Sequence, residues 1–166
     1  AVDMAAKAFQ RDGKLSGIST GMRDLDTKMG GLQHSDLIIV AGRPGMGKTS
    51  LATNIAYNVA QAYVPELQAD GTMKAANGGV IGFFSCEMSA DQLATRIVAE
   101  RTGVPSSHIR RGGISEADFD KIREVSIELQ SLPFYVDATG GLSIAQLMAR
   151  ARRLKQSILS SVLTRS

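Results

Sequence analysis

From residue 36 onward the apolar positions of this chain fall into two alternating patterns, short unbroken runs and longer stripes repeating every three or four residues. Asp36-Leu37-Ile38-Ile39-Val40-Ala41 is an unbroken, branched, apolar run of the kind that forms a strand buried on both faces. Val80-Ile81-Gly82-Phe83-Phe84-Ser85 repeats the pattern as a second interior strand, and Phe134-Tyr135-Val136-Asp137, introduced by Pro133, is a third, shorter one. A long helical stripe opens near Lys48. Leu51, Ile55, Val59 and Ala62 share one face, Ala52, Ala56 and Ala60 make a small-residue face beside it, and Asn54, Asn58 and Gln61 are left for solvent.

Three further helices carry a common start signal. Met88-Ser89-x-x-Gln92-Leu93, Ile114-Ser115-x-x-Asp118-Phe119 and Leu142-Ser143-x-x-Gln146-Leu147 each set Ser at the N-cap and an acceptor-bearing side chain three residues on, with apolar residues placed to staple the first turn. The stripes that follow are Leu93, Ile97 and Val98, then Phe119, Ile122, Val125 and Leu129, then Leu147, Ala151 and Leu154. Strands alternating with helices predict an α/β domain with a mainly parallel sheet, right-handed crossovers and helices flanking the sheet.

The remaining segments are less regular. Met22, Leu25, Met29 and Leu32 predict one short helix ended by Gly30-Gly31. Residues 65–79 show no convincing period and read as an exposed, mobile connection. Residues 1–10 carry only a weak helical stripe around Met4 and Ala8, which fits either an end that packs on a neighbour or a frayed terminus.

Composition narrows the class without naming it. With 166 residues, 43% of them hydrophobic and 21% charged, the chain suits one domain with a proper core. One cysteine and two histidines exclude an intrachain disulfide framework and a zinc cluster. No apolar run is long enough to cross a bilayer and no leader opens the chain, so a cytoplasmic protein without membrane contact is expected. The absence of an initiating Met suggests a piece of something longer. A net charge of +3 permits a polyanionic partner without demanding one.

The strongest chemical signal is Gly42-Arg43-Pro44-Gly45-Met46-Gly47-Lys48-Thr49, with Ser50 next to it. It fits the phosphate-loop pattern G-x-x-x-x-G-K-[ST] and sits between a predicted strand and a predicted helix, the context that gives the motif meaning. The glycines allow backbone N–H groups to turn inward around phosphate oxygens, and the following helix aims its positive end at them. Lys48 reaches the β- and γ-phosphates, and the Thr49 hydroxyl supplies a ligand to Mg²⁺. Nucleoside triphosphate binding is the expectation.

Glu87 stands at the carboxyl end of the second predicted strand. There it could orient a water for attack on the γ-phosphate, or be a solvated acid favoured by the helix dipole. Asp137 and Thr139 occupy the corresponding end of the third strand, where closing the strand is the favoured reading over lining the site. Cys86 is read as a small buried hydrophobe, and His34 and His108 as surface or loop residues. Arg110-Arg111 and Arg150-x-Arg152-Arg153-x-Lys155 are basic clusters that suit a solvated face as well as contact with nucleic acid or another subunit.

Taken together, Gly17-Ile18-Ser19-Thr20-Gly21, Leu25-Asp26, Gly30-Gly31-Leu32, the phosphate loop and Phe84-Ser85-Cys86-Glu87-Met88-Ser89 resemble the C-terminal motor domain of bacterial replicative DNA helicases, the DnaB family. The likeness runs from about residue 9 to 156. Residues 142–155 resemble the helix leading toward that family's Walker B strand. The resemblance implies a RecA-like P-loop core, ATP and Mg²⁺, hydrolysis at the interfaces of a ring hexamer, and 5′ to 3′ translocation on single-stranded DNA. It implies primase and a helicase loader as partners, a nucleoid-associated location in the cytoplasm, and the catalytic base role for Glu87 beside Lys48.

Residues 1–14 would then be the end of a linker helix and its connection, and residues 15–166 the first portion of the ATPase domain. Three departures from the family pattern stand out. Cys86 replaces a usual Leu, Ala138 replaces a common Asp, and no acidic residue follows Asp137 to serve as the Walker B carboxylate. The 166 residues are therefore expected to bind nucleotide, to hydrolyse it poorly alone, and to end in an incomplete sheet with exposed apolar surface. The competing expectations are another RecA-like DNA-dependent ATPase or recombinase, and a non-catalytic nucleotide-binding assembly module.

Overall fold

The computed structural model describes residues 15–163, with side chains to Ile158. The helical stripe of residues 1–10 lies outside that range. Helix α1 (Arg23–Met29) forms where it is predicted and ends at Gly30, whose amide returns to the Asp26 carbonyl at 2.8 Å. The chain before and after it is pinned together by a two-way bridge, Ile18 N to Leu32 O at 2.9 Å and Leu32 N to Ile18 O at 2.7 Å. The Asp26 carboxylate, rather than an apolar side chain, is the buried group of α1.

Helix α2 (Lys48–Gln61) buries Thr53, Ala56, Tyr57, Val59 and Ala60. The buried face is thus rotated from the predicted one: Ala52 is exposed, and the large buried side chain is Tyr57. Asn58, expected to face solvent, donates to Thr20 O at 3.0 Å and accepts from Arg101 at 2.6 Å. Polar residues at helix spacing read as solvated only until another element supplies a partner.

Residues 65–79 are mostly exposed, with Gly78 buried, but not irregular. Strands β1 (Val64–Leu67) and β2 (Met73–Asn77) pair antiparallel, and Gln68, Gly71 and Thr72 close the turn with Gln68 N to Thr72 O at 2.8 Å. Thr72 N and Oγ1 both donate to Asp70 Oδ1. Asp70-Gly71 is the turn signal that marks this hairpin, and the weak alternation of its arms is why periodicity passed over it.

Strand β3 (Ile81–Phe84), helices α3 (Ala90–Thr102), α4 (Ser106–Arg111) and α5 (Glu116–Ser131), strand β4 (Phe134–Asp137) and helix α6 (Ile144–Leu163) complete the described chain. β3 and β4 are parallel, Ile81 opposite Phe134 and Phe84 opposite Asp137. Alternation along the strands puts Phe83 and Phe134 on one face, their rings stacked with centroids 6.0 Å apart. That face packs on the core of Tyr57, Leu93 and Ile97, joined by Leu129 and Leu132. Gly82 turns to the other face, where a Cβ would lie 2.8 Å from Leu154 of α6. Helices therefore cover both faces of the β3–β4 pair.

The α3 start has both bonds of a capping box, Gln92 N to Ser89 Oγ at 3.2 Å and Ser89 N to Gln92 Oε1 at 3.1 Å. Ser143 and Gln146 exchange the same pair of bonds ahead of α6. Ser115 caps α5 through Asp118 N alone; the shorter Asp side chain makes no return bond. Phe119, placed on the α5 stripe, is 53% exposed. Helix α4 has six residues and no apolar stripe, so no period announces it.

The described sheets differ from the predicted one. They are two separate pairs, antiparallel β1–β2 and parallel β3–β4, not one large parallel sheet. The Asp36–Ala41 run joins no strand ladder among the described residues, and Leu37 and Ile39 are 87% and 80% exposed. An apolar run becomes a strand only when a neighbour accepts its backbone hydrogen bonds, and β3 and β4 satisfy each other instead.

Candidate nucleotide-binding site

The phosphate loop runs into α2 through two glycines in the left-handed region, Gly45 at φ +76° and Gly47 at φ +84°. Nothing lies within 4 Å of a Cβ built on Gly47, so its requirement for glycine is conformational rather than spatial. Met46 N reaches Arg43 O at 3.3 Å, and Leu51 N makes the first helical bond to Gly47 O at 2.9 Å. The α2 start has no side-chain cap and no acidic residue in its first turn. Its leading N–H groups therefore have no side-chain cap and no competing carboxylate, with the positive end of the helix dipole behind them.

Lys48 folds back over the loop. Its Nζ donates to Gly42 O at 2.6 Å and to Arg43 O at 3.0 Å, which holds the ammonium where the loop curls. Gly42 through Gly47 are exposed, while Lys48, Thr49 and Ser50 are half-buried. The fully buried Thr53 donates to Thr49 O and Ser50 O, and Asn54 donates to Ser50 O, so the second turn of the helix holds the first. The Thr49 hydroxyl makes no hydrogen bond among the described residues. No group of three His, Cys, Asp or Glu side chains able to hold a metal occurs among them either.

Glu87 lies in the turn between β3 and α3. Ser85 organises that turn: its Oγ donates to Met88 O at 2.8 Å and accepts from Met88 N at 3.0 Å, while Ser85 N extends the sheet to Asp137 O at 2.9 Å. Glu87 is exposed, and no hydrogen bond or ion pair joins it to the phosphate loop among the described residues. Cys86 is exposed as well, contrary to the buried slot expected of it, because the turn lifts away from the sheet one residue after β3 ends. His34 and His108 are exposed.

Asp137 is engaged on every side. Thr139 donates to its Oδ1 through both Oγ1 (2.7 Å) and N (3.1 Å), and Arg150 donates to Oδ2 at 2.6 Å. The Thr139 hydroxyl, the Arg150 guanidinium and the Thr139 amide draw the carboxyl down to about 2. Asp137 and Thr139 thus close the strand and tether α6. Arg110, Arg111, Arg152, Arg153 and Lys155 are exposed.

Sequence reasoning passed over a second cluster that braces α2. The Arg101 guanidinium carbon lies 3.8 Å from the centre of the Tyr57 ring, and its Nη2 donates to Asn58 Oδ1. The Glu128 carboxylate, which accepts from Gln61 at 2.8 Å, acts on the buried Tyr57 phenol. Burial and then the Glu128 carboxylate push the Tyr57 phenol up, against a smaller opposing pull from Arg101. The four-residue spacing of Leu93, Ile97 and Arg101 is the signal that could have placed Arg101 on the α2-facing side.

Comparison with known proteins agrees with the motif reading. A family model described as the DnaB-like helicase C terminal domain matches residues 17–164. The chain is 40% identical over 150 residues to the replicative DNA helicase DnaB of Rickettsia bellii, covering 90% of this chain and 29% of the relative. It is 35% identical over 154 residues to the replicative DNA helicase DnaC of Bacillus subtilis, covering 93% of this chain and 31% of the relative. The chain thus spans about three tenths of these relatives' length. Among solved structures, one described as an ATPase domain superposes with a TM-score of 0.76 at 23% identity, covering 94% of this chain and 50% of that one. A DnaB-like replicative helicase described with its interactions with primase superposes at 0.71 and 22% identity, covering 94% and 35%. The chain belongs to the DnaB-like helicase C terminal domain family.

Proposed function

We propose that this chain is the nucleotide-gripping portion of the RecA-like motor of an ATP-dependent replicative DNA helicase. The observation that carries the reading is the uncapped, acid-free start of α2, with the Lys48 ammonium held over Gly42 and Arg43. A triphosphate fits this cradle: the loop and first-turn N–H groups take its oxygens, and Lys48 exchanges its carbonyl partners for the β- and γ-phosphates. Ser50 and the loop residues Arg43, Pro44 and Met46 shape the rim. The Thr49 hydroxyl would hold Mg²⁺, with water and phosphate oxygens completing its shell. Bound Mg²⁺ would neutralise charge developing on the phosphates. Glu87, two residues before the α3 cap, orients the attacking water.

In the longer protein implied by its relatives, the chain's partners are further copies in a ring hexamer, single-stranded DNA, primase and a loader. Coupling of ATP turnover to 5′ to 3′ translocation belongs to that assembly. Titration calorimetry with ATP and Mg²⁺ tests the grip, and Lys48→Met should weaken it about 10–100-fold without unfolding the chain. In the complete protein, Glu87→Gln should keep nucleotide affinity and lose turnover and strand separation. Undiminished ATP affinity in the Lys48 variant, or undiminished turnover in the Glu87 variant, would refute the corresponding assignment.

A further inference from the structure

The two groups assigned to chemistry stand at the starts of two neighbouring helices. Lys48 and Thr49 open α2, and Glu87 stands two residues before the Ser89 cap of α3. No bond joins these ends among the described residues; the Ser85 turn holds Glu87 to the sheet, and the packing that locks the helices further along sets how α3 stands against α2. The lock is visible. Leu93 and Ile97 pack with Tyr57, and one turn on, Arg101 covers the Tyr57 ring at 3.8 Å and bonds Asn58 at 2.6 Å. Asn58 is itself held through its bond to Thr20 O at 3.0 Å. The contact adds direction to this apolar packing: a slide of α3 along α2 would break the stack and the hydrogen bond together.

We propose that Arg101 is a positioning residue that fixes the axial register of α3 against α2 and so sets where Glu87 stands relative to the phosphate loop. Arg101 lies about 18 Å along α3 from its cap, and Tyr57 about 14 Å along α2 from Lys48, at about 1.5 Å per residue. Helices this short move as rigid rods, so a slip of an ångström at the lock appears at the chemistry. A misplacement of that size can cost up to about 100-fold in rate without touching binding.

The inference rests on the reading of Glu87 given above, and the experiment separates the two. In the complete protein, Arg101→Met keeps the aliphatic cover over Tyr57 and loses the charge and the bond to Asn58. Its kcat for ATP should fall about tenfold with KM within about twofold of the parent and an unchanged melting temperature. Arg101→Lys, which keeps a cation over the ring, should recover part of the loss, a rescue that simple packing does not explain. Asn58→Ala combined with Arg101→Met should be no worse than Arg101→Met alone. Should Arg101→Met not fold, Asn58→Ala alone carries the same kcat test. Glu87→Gln is the reference: if it keeps turnover, the role of Glu87 fails. If it loses turnover while a folded Arg101→Met keeps the parent kcat, the positioning role alone fails. A fall in nucleotide affinity as large as the fall in kcat would also overturn it.

Discussion

Arg150 Nη1 meets Asp137 Oδ2 at 2.6 Å, fastening helix α6 to the carboxyl end of β4. The Thr139 hydroxyl and amide complete the set of donors, and together with Arg150 they hold the Asp137 carboxyl at about 2, below its ordinary 3.8. A carboxyl depressed in the folded state stabilises that state above the unfolded value and loses the contribution as pH falls through the folded value. Stability should therefore decline between about pH 4 and pH 2, and Asp137→Asn should flatten that part of the curve. Thermal melts from about pH 2 to 5 check this; acid limbs that overlay for parent and variant would refute it.

A second carboxylate, Asp26, is buried among donors. Burial alone would raise the Asp26 carboxyl, but donation from Ser19 Oγ (2.6 Å), Thr20 N (2.8 Å) and Thr20 Oγ1 (2.7 Å) outweighs it, and the net shift is downward. Thr20→Val removes one donor to a group that is only 7% exposed. It should cost about 1–3 kcal/mol at neutral pH. The donor favours the ionised form, so the loss is full above the ordinary value of 3.8 and shrinks as pH falls and the carboxyl protonates. Urea denaturation at about pH 7 and about pH 3 should show the difference, and equal losses at both would count against the charge-assisted bond.

Gly47 offers a test of loop geometry apart from charge. At φ +84° an Ala is strained by about 1–2 kcal/mol, although nothing crowds its Cβ. The loop is exposed and free to relax, so the strain should appear in ligand affinity more than in unfolding. ATP should bind Gly47→Ala about 5–30-fold more weakly, with little change in melting temperature. Parental affinity would mean that the left-handed turn is dispensable for the grip.

How legible these features were in the sequence depended on the range of the interactions that make them. The phosphate loop, the Ser89 and Ser143 caps and the Gly30 helix end are local, and each could be read from a few neighbouring residues. The Asp70-Gly71 hairpin was local too, but its arms alternate weakly and include Pro65, so a search for hydrophobic period missed it. Tyr57, Asn58 and Arg101 were invisible for another reason: their partners lie tens of residues away, and a polar stripe looks the same solvated or bonded. Asp36–Ala41 shows the limit from the other side. Its composition is that of a buried strand, yet burial needs a ladder that no other described residue supplies.

That unpaired run leads to the last expectation. Leu37 and Ile39 are 87% and 80% exposed, and Ile38 and Val40 are 43% and 49% exposed. Four consecutive apolar residues with no sheet neighbour among those described offer both hydrophobic surface and backbone groups to another chain. The 166-residue chain by itself should therefore associate as its concentration rises. Ile39→Lys should suppress the association while changing stability by no more than about 0.5 kcal/mol, because so little of that side chain is buried. Sedimentation velocity over a concentration series checks the first outcome and thermal melts the second. A parent chain that stays monomeric across the series would show that this run is not an adhesive edge.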